Sequence, residues 1–397
     1  MSARGAVAFA AALVAVAVAG LWLGGHPRTL PGPLRDLFVE ETGGLTAEAA
    51  EAIEGNYYRS LGDQELSNAS LQGMVRRLRQ SNKEDRYSEY FSPEALQRFN
   101  EQLEGHFSGI GVEIDRVKAG SEIVKVFPGS PAERAGLEAG DTLVSVEGRP
   151  IGTRDSAEVR NEVVGPEGTQ VTIGVLDGRS GKTKELTITR AEVTLPNVSS
   201  RSEKVKGKTI GYVRMLSFSE ASHAQLARGV EKVEEKGAEG IVLDLRHNPG
   251  GLLEEAVLSA NVFLPQGEVV VSTRSRTQGD SVHKTPGDPV SNVPVVVLVD
   301  GGTASAAEIL TAALADDAGS TVVGTRSYGK GLFQEEQDLA NGGALKLSVG
   351  EFFTPEGVNL AKSHGIHPDV KAKDDPETKA DEARKRAVGV LAGQVAG

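Results

Sequence analysis

Val293-Pro-Val-Val-Val-Leu-Val299, followed by Asp300-Gly301-Gly302-Thr303-Ala304-Ser305-Ala306-Ala307-Glu308, decides how the C-terminal half of this chain folds. A near-continuous apolar run of this length reads as a strand of a sheet covered on both faces. The glycine pair turns the chain, and Ala306–Ala315 reads as a helix. Ser305 therefore stands at a helix N-terminus just after a buried strand. Free N–H groups and the positive end of the helix dipole favour a developing oxyanion there. Ser305-x-x-Glu308 is also the spacing of a capping box, so alone Ser305 reads as a cap.

Outward from this stretch, Ile241–Leu245 is a second apolar strand, and Ala221–Glu235 before it is helical. The strand ends in Arg246-His247-Asn248-Pro249-Gly250-Gly251-Leu252-Leu253, where a glycine pair lets backbone N–H groups point into a cleft. On the other side, Val322-Val323-Gly324-Thr-Arg-Ser-Tyr328-Gly329-Lys330-Gly331-Leu332-Phe333-Gln334 reads as strand, turn, strand. Alternation places Lys330, Leu332 and Gln334 on one face. A lysine among apolar neighbours has a lowered pKa and serves as a general base for Ser305, with Gln334 placed to orient its amine. Gly324-x-x-x-x-Gly329-Lys330 copies most of a phosphate-binding loop, but Gly331 stands where the Mg²⁺-binding Ser or Thr belongs, and a strand follows instead of a helix. No GxSxG elbow surrounds Ser305 or any other serine.

The middle of the chain has another character. Short strands recur at Ile110–Ile114, Ile123–Val126, Leu143–Val146, Val171–Val175 and Leu186–Ile188, separated by glycine-rich turns. Gly129-Ser-Pro-Ala-Glu-Arg-Ala-Gly136-Leu-Glu-Ala-Gly140-Asp141 combines a proline helix start, a glycine cap and a turn into the next strand. This pattern resembles a PDZ domain in its bacterial strand order. Such a domain adds an extended peptide to a sheet edge and holds its terminal carboxylate on a loop of N–H groups. The loop candidate is Ser108-Gly109-Ile110-Gly111-Val112. Before it, Thr46–Leu103 reads as helices, with Ser92-Pro93-Glu94 as one start, behind a linker at Pro27–Pro33.

No charged residue occurs from Gly5 to Gly25, a run that as a helix is about 31 Å long, enough to span a membrane. It reads as an anchor, with Trp22 suited to the interface, or as a signal peptide with small residues at Ala17-Val18-Ala19. Either reading places the catalytic part outside the cytoplasm, held at the cell membrane, or secreted if the segment is cleaved. Of 397 residues, 39% are hydrophobic and 25% charged, a globular balance sufficient for more than one domain. Lys plus Arg is 43 against 55 Asp plus Glu, and the net charge of −12 argues against nucleic acid as a partner. Cysteine is absent, which removes disulfides, thiol nucleophiles and Cys-bound zinc. The seven histidines include no HExxH pair, and a lone H-x-x-H at His364 and His367 calls for no metal.

Taken together, Leu243–Gly251, Thr303–Ala306, Gly329–Gln334 and Gly365-Ile-His-Pro-Asp-Val370 resemble the carboxy-terminal processing peptidases, or tail-specific proteases. Gly73-Met74 and Tyr87-Ser-Glu-Tyr90 are similar to that family too, so the likeness runs from about Thr46 to Val370. The resemblance implies a serine endopeptidase with a Ser–Lys dyad and no cofactor. Its nucleophile would be Ser305, its base Lys330 and the base's partner Gln334, with Gly250, Gly251 and Ala306 supplying the oxyanion N–H groups. Its partners would be proteins or peptides with apolar C-termini, bound by the PDZ domain; the sequence leaves a homo-oligomer open. The family pattern often has an Arg ahead of the glycine in Val163-Val164-Gly165-Pro166-Glu167-Gly168-Thr169; here there is none. The expected fold is mixed α/β. Residues 1–25 form the anchor or signal peptide, 26–104 a linker and helical segment, and 105–193 an inserted PDZ domain. Residues 194–375 form a catalytic α/β domain with a mixed sheet, and 376–397 a charged tail. The alternative is a peptide-binding PDZ scaffold with a decayed peptidase domain.

Overall fold

The computed structural model describes residues 41–396, apart from 62, 63, 118, 119, 153, 155, 376, 377 and 379. The run Gly5–Gly25 and the linker after it lie outside the described residues. Among the described residues, no helix is long and apolar enough to cross a membrane. The chain divides into two compact units, residues 1–77 and 78–397. In the first, the described side chains of the helix Glu41–Asn56 are nearly all exposed.

The second unit is built on a six-stranded sheet in the order Val198–Val205, Lys208–Met215, Gly240–Asp244, Val295–Val299, Thr321–Gly324, Val370–Lys371. The first pair is antiparallel and the rest are parallel, so the sheet is mixed. Alternation sorts its side chains by face. Ile241, Leu243, Val295, Val297 and Val299 pack with the helices Ser222–Glu234, Leu253–Ala260 and Ala306–Ala318, while Val242, Val296 and Leu298 face the opposite way. That opposite face is covered by Glu382–Gln394, through Ala383, Ala387, Val388 and Leu391. The residues read as a charged tail therefore hold a core helix, whose Lys385 and Arg386 face outward while Arg384 reaches back to Glu203 of the sheet.

The charge left at the inner edge of this layer is paired. Arg246, 9% exposed, bonds Asp244 in the strand before it and reaches Asp374 at 3.0 Å and Asp381 at 2.9 Å, the latter the N-cap of the last helix. Tyr212 donates to Asp244 from the neighbouring strand. Removing the guanidinium leaves Asp244, which is fully buried, without its cation. Arg246→Ala is expected to destabilise the chain by about 3 kcal/mol, read as a shifted midpoint in chemical denaturation of the full protein. A loss under about 1 kcal/mol would assign the clasp to solvent-exposed pairing instead.

An antiparallel sheet lies beside the first: Glu89–Phe91, Ala344–Phe353, Val269–Ser275 and Gly279–Lys284, with Leu332–Asp338 also paired to Ala344–Phe353. Glu89–Phe91 falls inside the stretch read as helical. Its extended form comes from pairing with Ala344–Lys346, a partner no local window contains.

The PDZ domain is inserted through one antiparallel pair, His106–Gly109 leading in and Ala191–Thr194 leading out. Its sheet runs Val112–Val117, Gly120–Val126, Thr142–Val146, Gln170–Leu176, Thr183–Thr189, with Arg149–Pro150 at the edge of the third strand. Ser130 caps the short helix Pro131–Arg134 and accepts from Glu133 N–H, so the Ser-Pro pair starts a helix as its chemistry demands.

Candidate active site

Three strand ends of the mixed sheet converge. After Val295–Val299, Asp300 accepts from the N–H groups of His247, Gly302 and Thr303 at 2.9, 2.9 and 3.1 Å. Thr303 donates through its hydroxyl to Leu245 O at 2.8 Å and accepts from Tyr328 N–H on its carbonyl at 3.0 Å. Loops that are far apart in sequence are thus locked together by hydrogen bonds to backbone groups.

Ser305 begins the helix Ala306–Ala318 with φ 55° and ψ −120°, a backbone that non-glycine residues rarely adopt. Glu308, fully buried, accepts from Ser305 N–H at 2.9 Å. The capping reading is thus realised through the carboxylate, but Glu308 does more than cap. It also accepts from Gly329 N–H at 2.7 Å, from Lys330 N–H at 2.9 Å and from the Ser327 hydroxyl. One carboxylate oxygen, Oε2, is shared by the amides of Ser305 and Lys330. Burial pushes the Glu308 carboxyl above its ordinary range, against the pull of these hydrogen bonds.

Ser305 and Lys330 line the same cleft of about 590 Å³, with Ala306, Gly250, Gly251, Phe333, Gln334 and Lys346. Among the described residues no hydrogen bond joins the Ser305 hydroxyl to the Lys330 amine. Lys330 is half-buried, and its pKa is lowered to about 8, first by burial and then by the charge of Lys346, with Glu308 opposing. Its amine sits over the Tyr87 ring, 4.9 Å from the centroid.

Lys330 lies in the loop ahead of the strand Leu332–Asp338, not on it. The pairing of that strand slips by one residue between Phe333 and Gln334, leaving Val349 extra on the partner. Such a bulge increases the local twist and re-aims side chains. Phe333 and Gln334 both line the cleft, while Leu332 lines a different pocket, so the shared face expected of Lys330, Leu332 and Gln334 is not what brings the base and its partner together. The expected bond from Gln334 to the amine is not formed: its Nε2 donates to Leu332 O at 3.1 Å and to Ser348 Oγ at 3.3 Å.

The oxyanion candidates separate as well. Gly250, at φ 96°, packs so closely on the site that an added Cβ would lie 2.8 Å from Ser305 Cβ. Its N–H, however, donates to Asn248 Oδ1 at 2.9 Å. Among the described residues, no protein acceptor takes the N–H of Gly251 or Ala306, and both line the cleft.

A second groove, about 540 Å³, opens on the PDZ domain between Ile110, Gly111, Val112, Ile114 and Phe127 on one side and Val163 and Val164 on the other. Gly111, at φ 84°, leaves no room for a side chain, since a Cβ would meet Ser130 Cβ at 2.3 Å. Ser108 and Gly109 belong instead to the entry strand and do not line the groove. Ser108 ties the groove's far wall to that strand, its carbonyl accepting from Gly165 N–H at 3.3 Å. The loop that lacks an arginine of its own is held by Arg190, just ahead of the exit strand, which donates to Val163 O at 3.0 Å and Glu162 O at 2.6 Å.

Glu308, Tyr87 and Lys346 carried no role in the sequence reading. Glu308 had a signal in its capping spacing, and Tyr87 in the motif around it. Lys346, in an alternating strand, had none.

Residues 209–372 match the model of peptidase family S41, and residues 122–177 that of a PDZ domain. The carboxy-terminal processing protease CtpA of Bacillus subtilis (strain 168) is 33% identical over 326 residues, covering 82% of this chain and 68% of its own length. A probable CtpA-like serine protease of Staphylococcus aureus (strain bovine RF122 / ET3-1) is 35% identical over 321 residues, 80% of this chain; the chain spans 62% of that relative. The solved structure of the photosystem II D1 C-terminal processing protease is similar over 90% of this chain and 99% of its own, with 27% identity and a TM-score of 0.49. With a peptidase model over the mixed sheet, a PDZ model over the inserted domain and the Bacillus subtilis relative matched along most of both chains, this chain belongs to peptidase family S41 and carries a PDZ domain.

Proposed function

We propose that the protein is a Ser–Lys endopeptidase acting on exported proteins through their C-terminal tails. The observation that carries this reading is the shared Glu308 oxygen, which sets Ser305 and Lys330 on one cleft although 25 positions separate them. Lys330, neutral in an appreciable fraction near pH 8, takes the hydroxyl proton of Ser305 as Oγ attacks the scissile carbonyl carbon. The N–H groups of Gly251 and Ala306, the latter at the helix dipole's positive end, receive the oxyanion. Collapse expels the amine, which takes the proton from the Lys330 ammonium, and water then cleaves the acyl-enzyme by the same exchange. Gln334 lines the cleft, and a turn of its amide oxygen toward the amine would complete the dyad's support.

The PDZ groove selects the tail. Its apolar walls suit an apolar last side chain, and the loop at Gly111 offers N–H groups to the carboxylate. The apolar run Gly5–Gly25 supports a catalytic part outside the cytoplasm, membrane-held or secreted.

The test compares one unfolded substrate with an apolar C-terminus as free acid and as amide, at concentrations below KM. Amidation removes charge-assisted hydrogen bonds, and kcat/KM should fall about tenfold or more. Equal values would withdraw the tail-reading part while leaving the dyad standing. Tail binding with no cleavage of either form would favour the scaffold alternative.

A further inference from the structure

The proton accepted by Lys330 creates a charge in an awkward place. From the strand Ala344–Phe353, Lys346 faces the same cleft, itself half-buried. Glu308 spends its carboxylate on backbone amides and a hydroxyl, and Glu336 lies further along the cleft. Among the described residues no carboxylate is within ion-pair distance of the Lys330 amine. What does face it is the ring of Tyr87, at 4.9 Å from the centroid.

The segment that carries that ring is held from three directions. Tyr87 N–H donates to Asp85 Oδ1 at 3.1 Å, and the same oxygen accepts from Ser88 N–H at 3.0 Å and Ser348 Oγ at 2.8 Å. Ser348 also accepts from Gln334, so one polar chain runs from the residue beside the base to the segment that carries Tyr87. On its other side Tyr87 meets Tyr328, with centroids 6.5 Å apart, and Tyr328 is fastened by its N–H to Thr303 O. Glu89–Phe91 then anchors the segment as a strand.

Resting on the Ser–Lys reading, we propose that Tyr87 is a positioning residue for the reaction, whose ring face holds the Lys330 amine and stabilises the ammonium formed when the Ser305 proton arrives. The Oγ–H bond breaks and an Nζ–H bond forms on the amine's lone pair; nothing else is transferred. An aromatic face attracts a cation and is nearly indifferent to a neutral amine. The contact therefore strengthens as the proton moves, which is the condition for lowering a barrier instead of merely binding. It offsets part of the repulsion from Lys346. The Tyr87 hydroxyl, held by burial and Tyr328 at a pKa of about 12, stays protonated throughout, so the ring acts through its π face and not as a second base.

The experiment replaces Tyr87 in the full chain by Phe and by mono-, di- and trifluorinated Phe, which keep the ring's size and progressively weaken its negative face. Tyr87→Phe should keep kcat within about twofold. Across the fluorinated series log kcat should fall in steps to about a tenfold loss, with KM within about twofold. The acid limb of the pH profile should move to lower pH, because an ammonium less well stabilised loses its proton sooner. Unchanged melting temperatures across the series confirm that folding is not the cause. A flat kcat series, or a fall confined to KM, would overturn the proposal and leave Tyr87 a packing residue. Ser305→Ala and Lys330→Met in the same chain separate this from failure of the underlying reading: if cleavage survives those two changes, the dyad itself is wrong.

Discussion

Ser305→Ala is expected to lower kcat on a tail-bearing substrate by on the order of 10⁴-fold or more, while binding of a C-terminal peptide stays within about threefold. The two readouts separate because the two grooves have separate linings: Ser305 lines the cleft at the mixed sheet and contributes nothing to the PDZ groove. Alanine suits the site sterically, and the clasp of Glu308 on the backbone N–H of residue 305 does not depend on the hydroxyl. The unusual φ of 55° is a backbone property that alanine tolerates no worse than serine, so the fold should persist. The measurement is single-turnover cleavage by clean preparations alongside peptide titration. Equal cleavage by variant and wild type would remove Ser305 from the mechanism.

Lys330→Arg should reduce kcat by about 10³-fold, within the range for a lost general base. A guanidinium remains protonated at any working pH and cannot accept the hydroxyl proton. The wild-type profile supplies the sign. With a pKa of about 8, Lys330 is mostly charged at pH 6, so activity should be low there and rise through pH 8 as the neutral amine appears. Burial is the larger cause of that shift and Lys346 the second. Lys346→Met keeps a side chain of similar length but removes the charge, which sits over the Phe91 and Phe99 rings, so the rise should move to higher pH. A rise that ignores both Lys330 and Lys346 would assign the titration to another group.

Much of the catalytic framework was legible because its signals are local. Val295–Val299 and Ile241–Leu243 announce buried strands by their apolar runs, and the glycine pairs after them mark where the backbone turns into a cleft. The PDZ signature was readable for the same reason: a Ser-Pro helix start, a glycine stop and a return turn are each decided within a few residues. The mistaken parts share a cause of the opposite kind. Glu89–Phe91 was absorbed into a helical stretch because its partner lies some 250 positions on. The C-terminal tail was judged by its charge, yet Ala383, Ala387, Val388 and Leu391 form one buried stripe once a sheet face is there to receive them.

By itself, the sequence determined which groups are available for chemistry: a serine at a helix N-terminus, a lysine between glycines, no thiol at all, and a peptide-binding module inserted ahead of them. Tertiary structure alone decided how those groups are aimed. It placed Ser305 and Lys330 on a single Glu308 oxygen, took Gly250 N–H out of the cleft by bonding it to Asn248, and turned Gln334 toward Ser348 through a one-residue slip in strand pairing. It also set the Tyr87 ring and the Lys346 charge against Lys330, from segments far apart in the chain. The physical reason is that residue type and short-range spacing set local backbone form. A side chain's hydrogen-bond partners, burial and neighbouring charges, and with them its pKa, are properties of whichever distant segments pack beside it.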